Sequence, residues 1–244
     1  ALNREGTQEL KDLLGNTEIF RNPKPTNLIK HLINICEDGV ENITILDFFA
    51  GSGTTGHAVL GLNKEDGGNR KFICIQLPEL TSKDSEAYKS RYKTIADICK
   101  ERIRKVIKKI DSKEGFKVFK LSKSNYKIWE NYEGKDAKQL KEQLELFKTP
   151  LISGYKEENI IYECIIKEGY SLNSKLEKVE IKSNKVYKII DKDSYFYICL
   201  DSEIKDKTLE ELKLKKEDIL ICLDEGLSDS KKKNLSIQCN LKVI

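Results

Sequence analysis

The amino-acid sequence predicts an α/β protein whose first half forms part of a doubly wound sheet and whose second half forms a smaller α/β domain. Short apolar runs alternate with segments in which apolar residues recur at helical spacing. One of these runs leads directly into a glycine-rich turn at residues 50–53, and a helical pattern follows the turn. Strand, tight turn and helix in this order form the unit from which doubly wound sheets are built.

The composition limits the classes of protein that need to be considered. Hydrophobic residues make up 39% of the 244 residues, which is enough to build one large domain or two smaller ones. The 44 basic and 40 acidic residues give a net charge of +4, which neither indicates nor excludes a nucleic-acid-binding protein. No apolar run is long enough to span a membrane, and no secretory leader is recognisable.

Cysteine and histidine usage argues against disulfides and bound metal. The cysteines are scattered, form no C-x-x-C pair and lie mostly in apolar runs, so we expect reduced, buried thiols in a cytoplasmic protein. With only two histidines and no ligand spacing, no metal site is expected. Because the chain has no methionine and begins at Ala1, we interpret it as a fragment of a longer protein. The seven cysteines are Cys36, Cys74, Cys99, Cys164, Cys199, Cys222 and Cys239.

The first half is expected to hold the strand–turn–helix unit between flanking helices. Residues 1–22 are polar and interrupted by Gly6 and Gly15, so we expect the irregular tail of an upstream segment. A helix with Thr26 as its N-cap is predicted next. Buried strands are then predicted at residues 43–49 and 72–77, and helices at residues 54–62 and 95–110. The outer face of the last helix is expected to be basic through Lys100, Arg102, Arg104, Lys105, Lys108 and Lys109.

A charged break after residue 110 predicts two domains, residues 1–112 and 113–244. The second domain is predicted to contain more strands than helices and to carry no motif with a recognisable chemistry. Strands are predicted at residues 116–121, 160–166, 179–181, 186–190, 195–200, 219–223 and 241–244. Helices are predicted at residues 125–148, 208–214 and 228–237.

The segment most informative about chemistry runs from the first strand into the following helix. It reads Asp47-Phe48-Phe49-Ala50-Gly51-Ser52-Gly53-Thr54-Thr55. Gly51 and Gly53 permit unusual backbone angles and a close approach that side chains would block. The amides at the start of the helix attract an anion, and Asp47 can accept an ammonium group. The turn therefore suits a ligand that carries both charges of an amino acid.

This nine-residue string closely resembles motif I of amino-methyltransferases, the first S-adenosylmethionine-binding loop. The resemblance implies that the cofactor is bound by Asp47, Phe48, Phe49, Ala50, Gly51, Ser52, Gly53 and Thr54. The upstream string Asn-Pro-Lys-Pro-Thr resembles motif X, which implies that Lys24, Pro25 and Thr26 contact the methionine end of the cofactor. An acidic residue often binds the cofactor ribose after the second strand, and either Gln76, which we favour slightly, or Glu79 takes that place here.

The order of these motifs, with residues 67–79, identifies the chain as similar to modification subunits of type III restriction-modification systems, which are β-class DNA adenine methyltransferases. The resemblance implies methyl transfer from S-adenosylmethionine to the exocyclic amine of adenine at a specific DNA site. Such enzymes grip the flipped-out adenine with an Asp- or Asn-Pro-Pro-Tyr loop. None of the four prolines here are adjacent. We therefore expect a C-terminal fragment that holds the cofactor motifs, has no catalytic residue and is inactive alone.

The resemblance also implies double-stranded DNA, a second modification subunit and a restriction subunit as partners, and no membrane. An alternative function is a non-catalytic assembly module, in which the second domain docks another modification subunit or the restriction subunit. A nucleotide-binding Rossmann protein is disfavoured because the turn lacks a third spaced glycine. His57, one turn into the helix after the glycines, is expected to be packed or capped rather than catalytic.

Overall fold

The computed structural model describes residues 2–36, 43–110, 114–128, 136–146 and 149–244. The chain divides into two compact units, Ala1–Phe116 and Lys117–Ile244, which are taken separately below. The predicted boundary between residues 112 and 113 lies outside the described residues. Helices and strands are mixed in both units, so the predicted α/β class is confirmed.

Unit 1 is organised around a strand–helix–strand crossover. The two strands are parallel neighbours, paired from Thr44 with Lys71 to Asp47 with Cys74, and the helix between them makes the crossover. The described elements are α1 (Leu2–Leu14), α2 (Thr26–Cys36), β1 (Thr44–Asp47), α3 (Thr54–Asp66), β2 (Lys71–Cys74), α4 (Glu86–Lys89) and α5 (Ile95–Lys109).

The N-terminal residues form a helix, so the expectation of an irregular tail was wrong. Leu10 and Leu13 of α1 are buried, and Leu13 belongs to a core that α5 and α3 share. Gly6 lies inside the helix, where a β-carbon would come within 2.2 Å of the Pro23 carbonyl oxygen. Glycine normally weakens a helix. Here it allows α1 to lie directly against the backbone that leads into α2.

The two strands of unit 1 are half-buried, whereas burial on both faces was predicted. Ile45 and Phe72 face a core formed with α2 and α3, while Leu46 and Ile73 on the other face are 47% and 51% exposed. The second strand ends at Cys74, before the predicted end at residue 77. The continuous apolar runs indicate two covered faces, but the described part of unit 1 covers only one.

The fifth helix follows the predicted span closely. It begins with a capping box, in which Thr94 Oγ1 accepts from the Asp97 amide at 3.2 Å and the Asp97 carboxylate accepts from the Thr94 amide at 2.9 Å. Arg102, which we had placed on the basic outer face, is 0% exposed and lies within the buried face of the helix. The prediction for Arg102 was therefore wrong.

Unit 2 is built on a five-stranded sheet of order β3-β4-β5-β6-β7. The first three strands are antiparallel neighbours and the last three are parallel neighbours. One face packs against α7, and the other packs against residues of α8 and α9. The described elements are α6 (Ala137–Leu146), α7 (Glu157–Lys167), β3 (Lys175–Val179), β4 (Val186–Asp191), β5 (Ser194–Cys199), α8 (Asp206–Leu212), β6 (Ile219–Cys222), α9 (Asp229–Gln238) and β7 (Asn240–Val243).

Two strands predicted after residue 115 are not strands in the structure, and the strand predicted at residues 179–181 is found at Lys175–Val179 instead. Residues 160–166 lie in α7, where Ile160, Ile161 and Cys164 are buried on one helical face. A short apolar run does not distinguish a buried strand from a buried helix, which explains the error. Residues 116–121 form no regular element. Among the described residues of the helix predicted at 125–148, only α6, Ala137–Leu146, is helical.

Gly6→Ala is expected to destabilise unit 1, although alanine favours helix. The added β-carbon would collide with a backbone carbonyl, which cannot rotate away as a side-chain end can. We expect a loss of about 1–3 kcal/mol in the free energy of unfolding, measured by denaturant titration. Gly115→Ala is the matched control, since no atom lies within 4 Å of its added β-carbon. Equal stability of the two variants would show that α1 does not pack against Pro23.

Candidate functional site

The connection between β1 and α3, residues 47–55, is here called the glycine turn. Gly51 and Gly53 have φ angles of +51° and +80°, a region that side chains disfavour. A β-carbon on Gly53 would lie 2.9 Å from the Cys99 sulfur, so α5 passes directly beneath the turn. Both glycines are therefore required by the backbone, and the turn rests on a helix more than forty residues away in the sequence.

The carboxylate of Asp47 holds the two ends of the glycine turn together. Its Oδ1 accepts from the Phe49 amide at 3.0 Å, and its Oδ2 accepts from the Thr55 hydroxyl at 2.5 Å. The Gly53 amide donates to the Ala50 carbonyl at 2.7 Å, which closes the turn. Asp47 thus links the end of β1 to the first turn of α3 and fixes the shape of the loop.

Gln76, two residues after the end of β2, braces the glycine turn. Its Oε1 accepts from the Gly51 amide at 2.7 Å, and its Nε2 donates to the Leu77 carbonyl at 3.2 Å. Glu79 is exposed, and its backbone carbonyl accepts from the Ile95 amide at 2.9 Å. The ribose contact proposed for Gln76 or Glu79 stays a prediction, with one lone pair of the Gln76 oxygen already engaged.

The Lys24–Thr26 segment lies against the glycine turn. Thr54 Oγ1 donates to the Lys24 carbonyl at 3.1 Å. Thr26 begins α2, and the cap is supplied by Glu9 of α1, which accepts from the Thr26 amide at 3.0 Å and from the Thr26 hydroxyl at 2.7 Å. A carboxylate at a helix N-terminus also interacts favourably with the helix dipole. The two segments predicted to bind one ligand are thus neighbours in space.

A buried guanidinium connects these pieces. Arg102 Nη1 donates to Ser52 Oγ at 3.0 Å and to Thr54 Oγ1 at 2.8 Å. Its Nη2 lies 3.4 Å from Glu9 Oε2, and its Nε donates to His57 Nδ1 at 3.3 Å. Burial lowers the pKa of Arg102 to about 10, and the charge of Glu9 opposes that change. Arg102 therefore remains protonated at neutral pH.

His57 is neutral under the same conditions. Its burial, and then the charge of Arg102, lower the pKa of the imidazole to about 3. Because Arg102 Nε donates to Nδ1, the proton of the neutral ring is on Nε2. His57 is thus packed as expected, and it acts as a hydrogen-bond acceptor for the buried arginine.

The residues predicted to bind the cofactor fall into a rim and a frame. The exposed rim includes Phe48 and Phe49, which are 62% and 87% exposed. Lys24 and Glu79 are also exposed and belong to the rim. The rim is completed by three partly exposed residues, Asp47, Gly51 and Gln76. The frame is buried and consists of Pro25, Thr26, Ala50, Ser52, Gly53 and Thr54. The side chains of Thr26, Ser52 and Thr54 bind other protein groups.

The first turn of α3 offers unused hydrogen-bond donors. The amides of Thr54 and Thr55 precede any intrahelical acceptor, and no other described residue accepts from them. The positive end of the helix dipole lies at the same place. The arrangement can therefore hold an anionic group between the glycine turn and the segment that includes Lys24.

Sequence reasoning missed two residues of this network, Glu9 and Arg102. A signal for Arg102 was present, because residues 98, 102 and 106 share one face of a helix and Ile98 and Val106 are apolar. No comparable signal marks Glu9, whose partners are distant in the sequence. An arginine at an apolar position of a helix indicates a buried charge with dedicated acceptors.

In the part of the chain that the structure describes, no group of three or more His, Cys, Asp or Glu side chains is arranged to hold a metal ion. No described helix is both long and apolar enough to cross a membrane. The cysteines are all free, and five of them are buried. Cys36 is exposed and Cys74 partly buried, so the expectation of buried thiols was wrong for these two.

Unit 1 is similar in sequence to a known family of proteins. Residues 2–82 match the DNA methylase family, and this range contains α1, the Lys24–Thr26 segment, the glycine turn and β2. This part of the chain is therefore similar to DNA methylases.

The chain is also similar to modification subunits. The chain is 44% identical over 131 residues to the type III restriction-modification enzyme StyLTI Mod subunit of Salmonella typhimurium, covering 50% of this chain and 19% of that protein. It is 47% identical over 118 residues to the EcoPI Mod subunit of Escherichia phage P1, covering 46% and 18%. For the EcoP15I Mod subunit of Escherichia coli the identity is 45% over 119 residues, covering 48% and 18%.

These similarities confirm the relation to type III modification subunits that the motifs indicated. The matched segments span 18–19% of the length of these relatives. The activity, substrates and partners of a whole modification subunit are therefore a matter of proposal for this chain.

The neutral, partly buried His57 predicts that unit 1 is sensitive to acid. Its pKa is about 3 in the folded protein and ordinarily 6.5, so below pH 6.5 the unfolded chain binds a proton that the folded chain does not. The stability contributed by His57 is complete above pH 6.5 and falls by up to about 1.4 kcal/mol per pH unit below it. We expect His57→Gln to flatten the dependence of unfolding free energy on pH between 6.5 and about 3.

The matched control is His31→Gln, because His31 is exposed on α2. Denaturant unfolding at a series of pH values compares both variants with the original chain. A slope that is unchanged in His57→Gln would contradict a neutral His57 in the folded protein.

Proposed function

We propose that this chain supplies the cofactor-binding part of a site-specific DNA adenine methyltransferase, the modification subunit of a type III restriction-modification system. The parent protein would transfer a methyl group from S-adenosylmethionine to the exocyclic amine of adenine. The observation that carries this proposal is the hydrogen bond from Thr54 to the Lys24 carbonyl. It joins the two segments for which cofactor contacts are predicted, in a part of the chain that matches the DNA methylase family.

The residues at the site fit the amino-acid end of S-adenosylmethionine. Its carboxylate would be held by the free amides of Thr54 and Thr55 at the positive end of α3. Its ammonium would be held by Asp47, whose oxygens each retain a lone pair, or by a carbonyl at the end of β1. The exposed rings of Phe48 and Phe49 offer an apolar surface beside the turn.

The cofactor, when bound, supplies an electrophilic methyl group, and the chain orients it. Asp47 and Gln76 fix the turn, and the Lys24–Thr26 segment closes the methionine end. The sequence contains no Asp- or Asn-Pro-Pro-Tyr string, so the loop that grips a flipped-out adenine would come from another part of the parent protein. On this proposal, unit 1 is the later part of a Rossmann-like methyltransferase domain, and the chain alone does not methylate DNA.

The same proposal assigns partners. The relatives are subunits of restriction-modification enzymes by name, so we propose double-stranded DNA, a second modification subunit and a restriction subunit as partners of the parent protein. Unit 2 is the candidate for subunit contacts.

An assembly module is the second candidate function, favoured by the separate cores of unit 2. Deleting residues 1–112 distinguishes the two. Association with modification or restriction subunits that survives the deletion, measured by light scattering, would favour the module.

Asp47→Ala is expected to weaken S-adenosylmethionine binding by about tenfold or more, because the variant loses the hydrogen bonds that close the turn. Calorimetric titration of the cofactor into the 244-residue chain measures the effect. Asp84→Ala is the matched control, since Asp84 is exposed. Absence of binding to the original chain, or equal affinity of Asp47→Ala, would count against the proposed site.

A further inference from the structure

We propose that Arg102 and Glu9 form an internal lock that joins the glycine turn to the Lys24–Thr26 segment and holds both in the arrangement that binds the cofactor. The cofactor role of the lock rests on the proposed function above. Arg102 and Glu9 lie outside every segment to which the sequence assigned a cofactor contact. They are positioning residues, because they act on the ligand only through other residues.

The first observation is where the acceptors of Arg102 lie. Ser52 and Thr54 belong to the glycine turn, and Glu9 is the residue that caps Thr26. Glu9 Oε2 accepts hydrogen bonds from both the Thr26 amide, at 3.0 Å, and Arg102 Nη2, at 3.4 Å. One guanidinium is therefore connected to both candidate ligand-binding segments, on one side directly and on the other through a single carboxylate.

The second observation is that the connections form a closed circuit. Arginine is only a donor, so Thr54 Oγ1 must accept from Arg102 Nη1. The hydroxyl proton of Thr54 is then directed to the Lys24 carbonyl. The backbone leads from Lys24 to Thr26. The Thr26 amide and Arg102 Nη2 both donate to Glu9 Oε2, which closes the circuit. The Thr54 hydroxyl therefore links Arg102 to the Lys24 carbonyl, accepting from the first and donating to the second.

The third observation is that Arg102 has no direct access to a ligand. Its side chain is 0% exposed and that of Glu9 is 20% exposed. Contact with the cofactor is not the reason for a buried arginine at this position. A charge without access to water requires its acceptors to be held in place, and here the acceptors are attached to the two segments that must be aligned.

The geometry also explains why arginine is required. The planar fork of a guanidinium serves several acceptors in fixed directions, whereas a lysine ammonium is a single point on a flexible stem. Arg102→Lys retains the charge and loses the fork. Glu9→Gln retains an oxygen for the Thr26 amide and loses the charge that faces Arg102. Each variant therefore loosens the lock. Neither variant leaves the Glu9 carboxylate partly buried without a positive charge beside it.

The test compares Arg102→Lys and Glu9→Gln with Arg104→Lys, which changes an exposed arginine on the same helix. Calorimetric titration of S-adenosylmethionine into the full chain gives the affinity. Amide hydrogen exchange gives the local opening of Thr26 and the glycine turn, with the α5 amides of Ile103 and Val106 as the internal reference. If Arg102 had a purely structural role, its replacement would not speed amide exchange selectively at Thr26 and the glycine turn.

For Arg102→Lys we expect affinity about tenfold weaker or more, and exchange about tenfold faster at Thr26 and the glycine turn, with the α5 reference nearly unchanged. Glu9→Gln should show the same pattern to a smaller extent, and Arg104→Lys should show neither change. Affinity and exchange in Arg102→Lys equal to those of the original chain would overturn the lock. Faster exchange throughout unit 1 would also overturn it, because Arg102 would then serve only global stability.

The exchange measurement keeps the lock separate from the proposed function. If the original chain binds no S-adenosylmethionine, the proposed function fails and so does the cofactor role of the lock. Selective exchange at Thr26 and the glycine turn in Arg102→Lys would even then support the coupling of the two segments.

Discussion

The positive charge of Arg102 is removed from water, and the arrangement of unit 1 follows from the need to compensate it. Transfer of an ion into a protein interior costs several kcal/mol unless hydrogen bonds and an opposite charge replace its hydration. The replacements come from separate elements: Glu9 from α1, Ser52 from the glycine turn, and Thr54 and His57 from α3. The charge is satisfied only when all of these elements meet, so it selects one arrangement rather than merely adding stability.

The fold was predictable where local patterns decide it. The glycine turn follows from its own string of residues, and the spans of most strands in unit 2 follow from short apolar runs separated by polar turns. Prediction failed where distant contacts decide. Helix α1 contains a glycine that only the backbone at Pro23 explains. Helix α7 begins its apolar run with adjacent isoleucines that fit a strand or a helix equally well, and its packing against the sheet decides between them.

The candidate site shows the same division. Asp47, the two glycines and the Lys24–Thr26 segment were predicted as site residues because each lies in a motif of its own. Their neighbourhood in space was expected from the family resemblance, but the means by which they are joined was not. Arg102 and Gln76 form hydrogen bonds with turn residues that lie fifty and twenty-five positions earlier in the sequence. No local pattern encodes such a bond, although the apolar neighbours of Arg102 on its helix marked it as buried.

The cap of α2 has a consequence for the order in which unit 1 folds. Most helices carry their N-terminal acceptor one residue before the first turn, so that helix and cap form together. Here the acceptor is seventeen residues upstream, on another helix, and it is oriented by an arginine ninety-three residues downstream. The nucleus of α2 therefore lacks its cap until α1 has docked and the chain has closed a long loop. We therefore expect the glycine turn and the Lys24–Thr26 segment to become ordered together and late in folding, rather than one after the other.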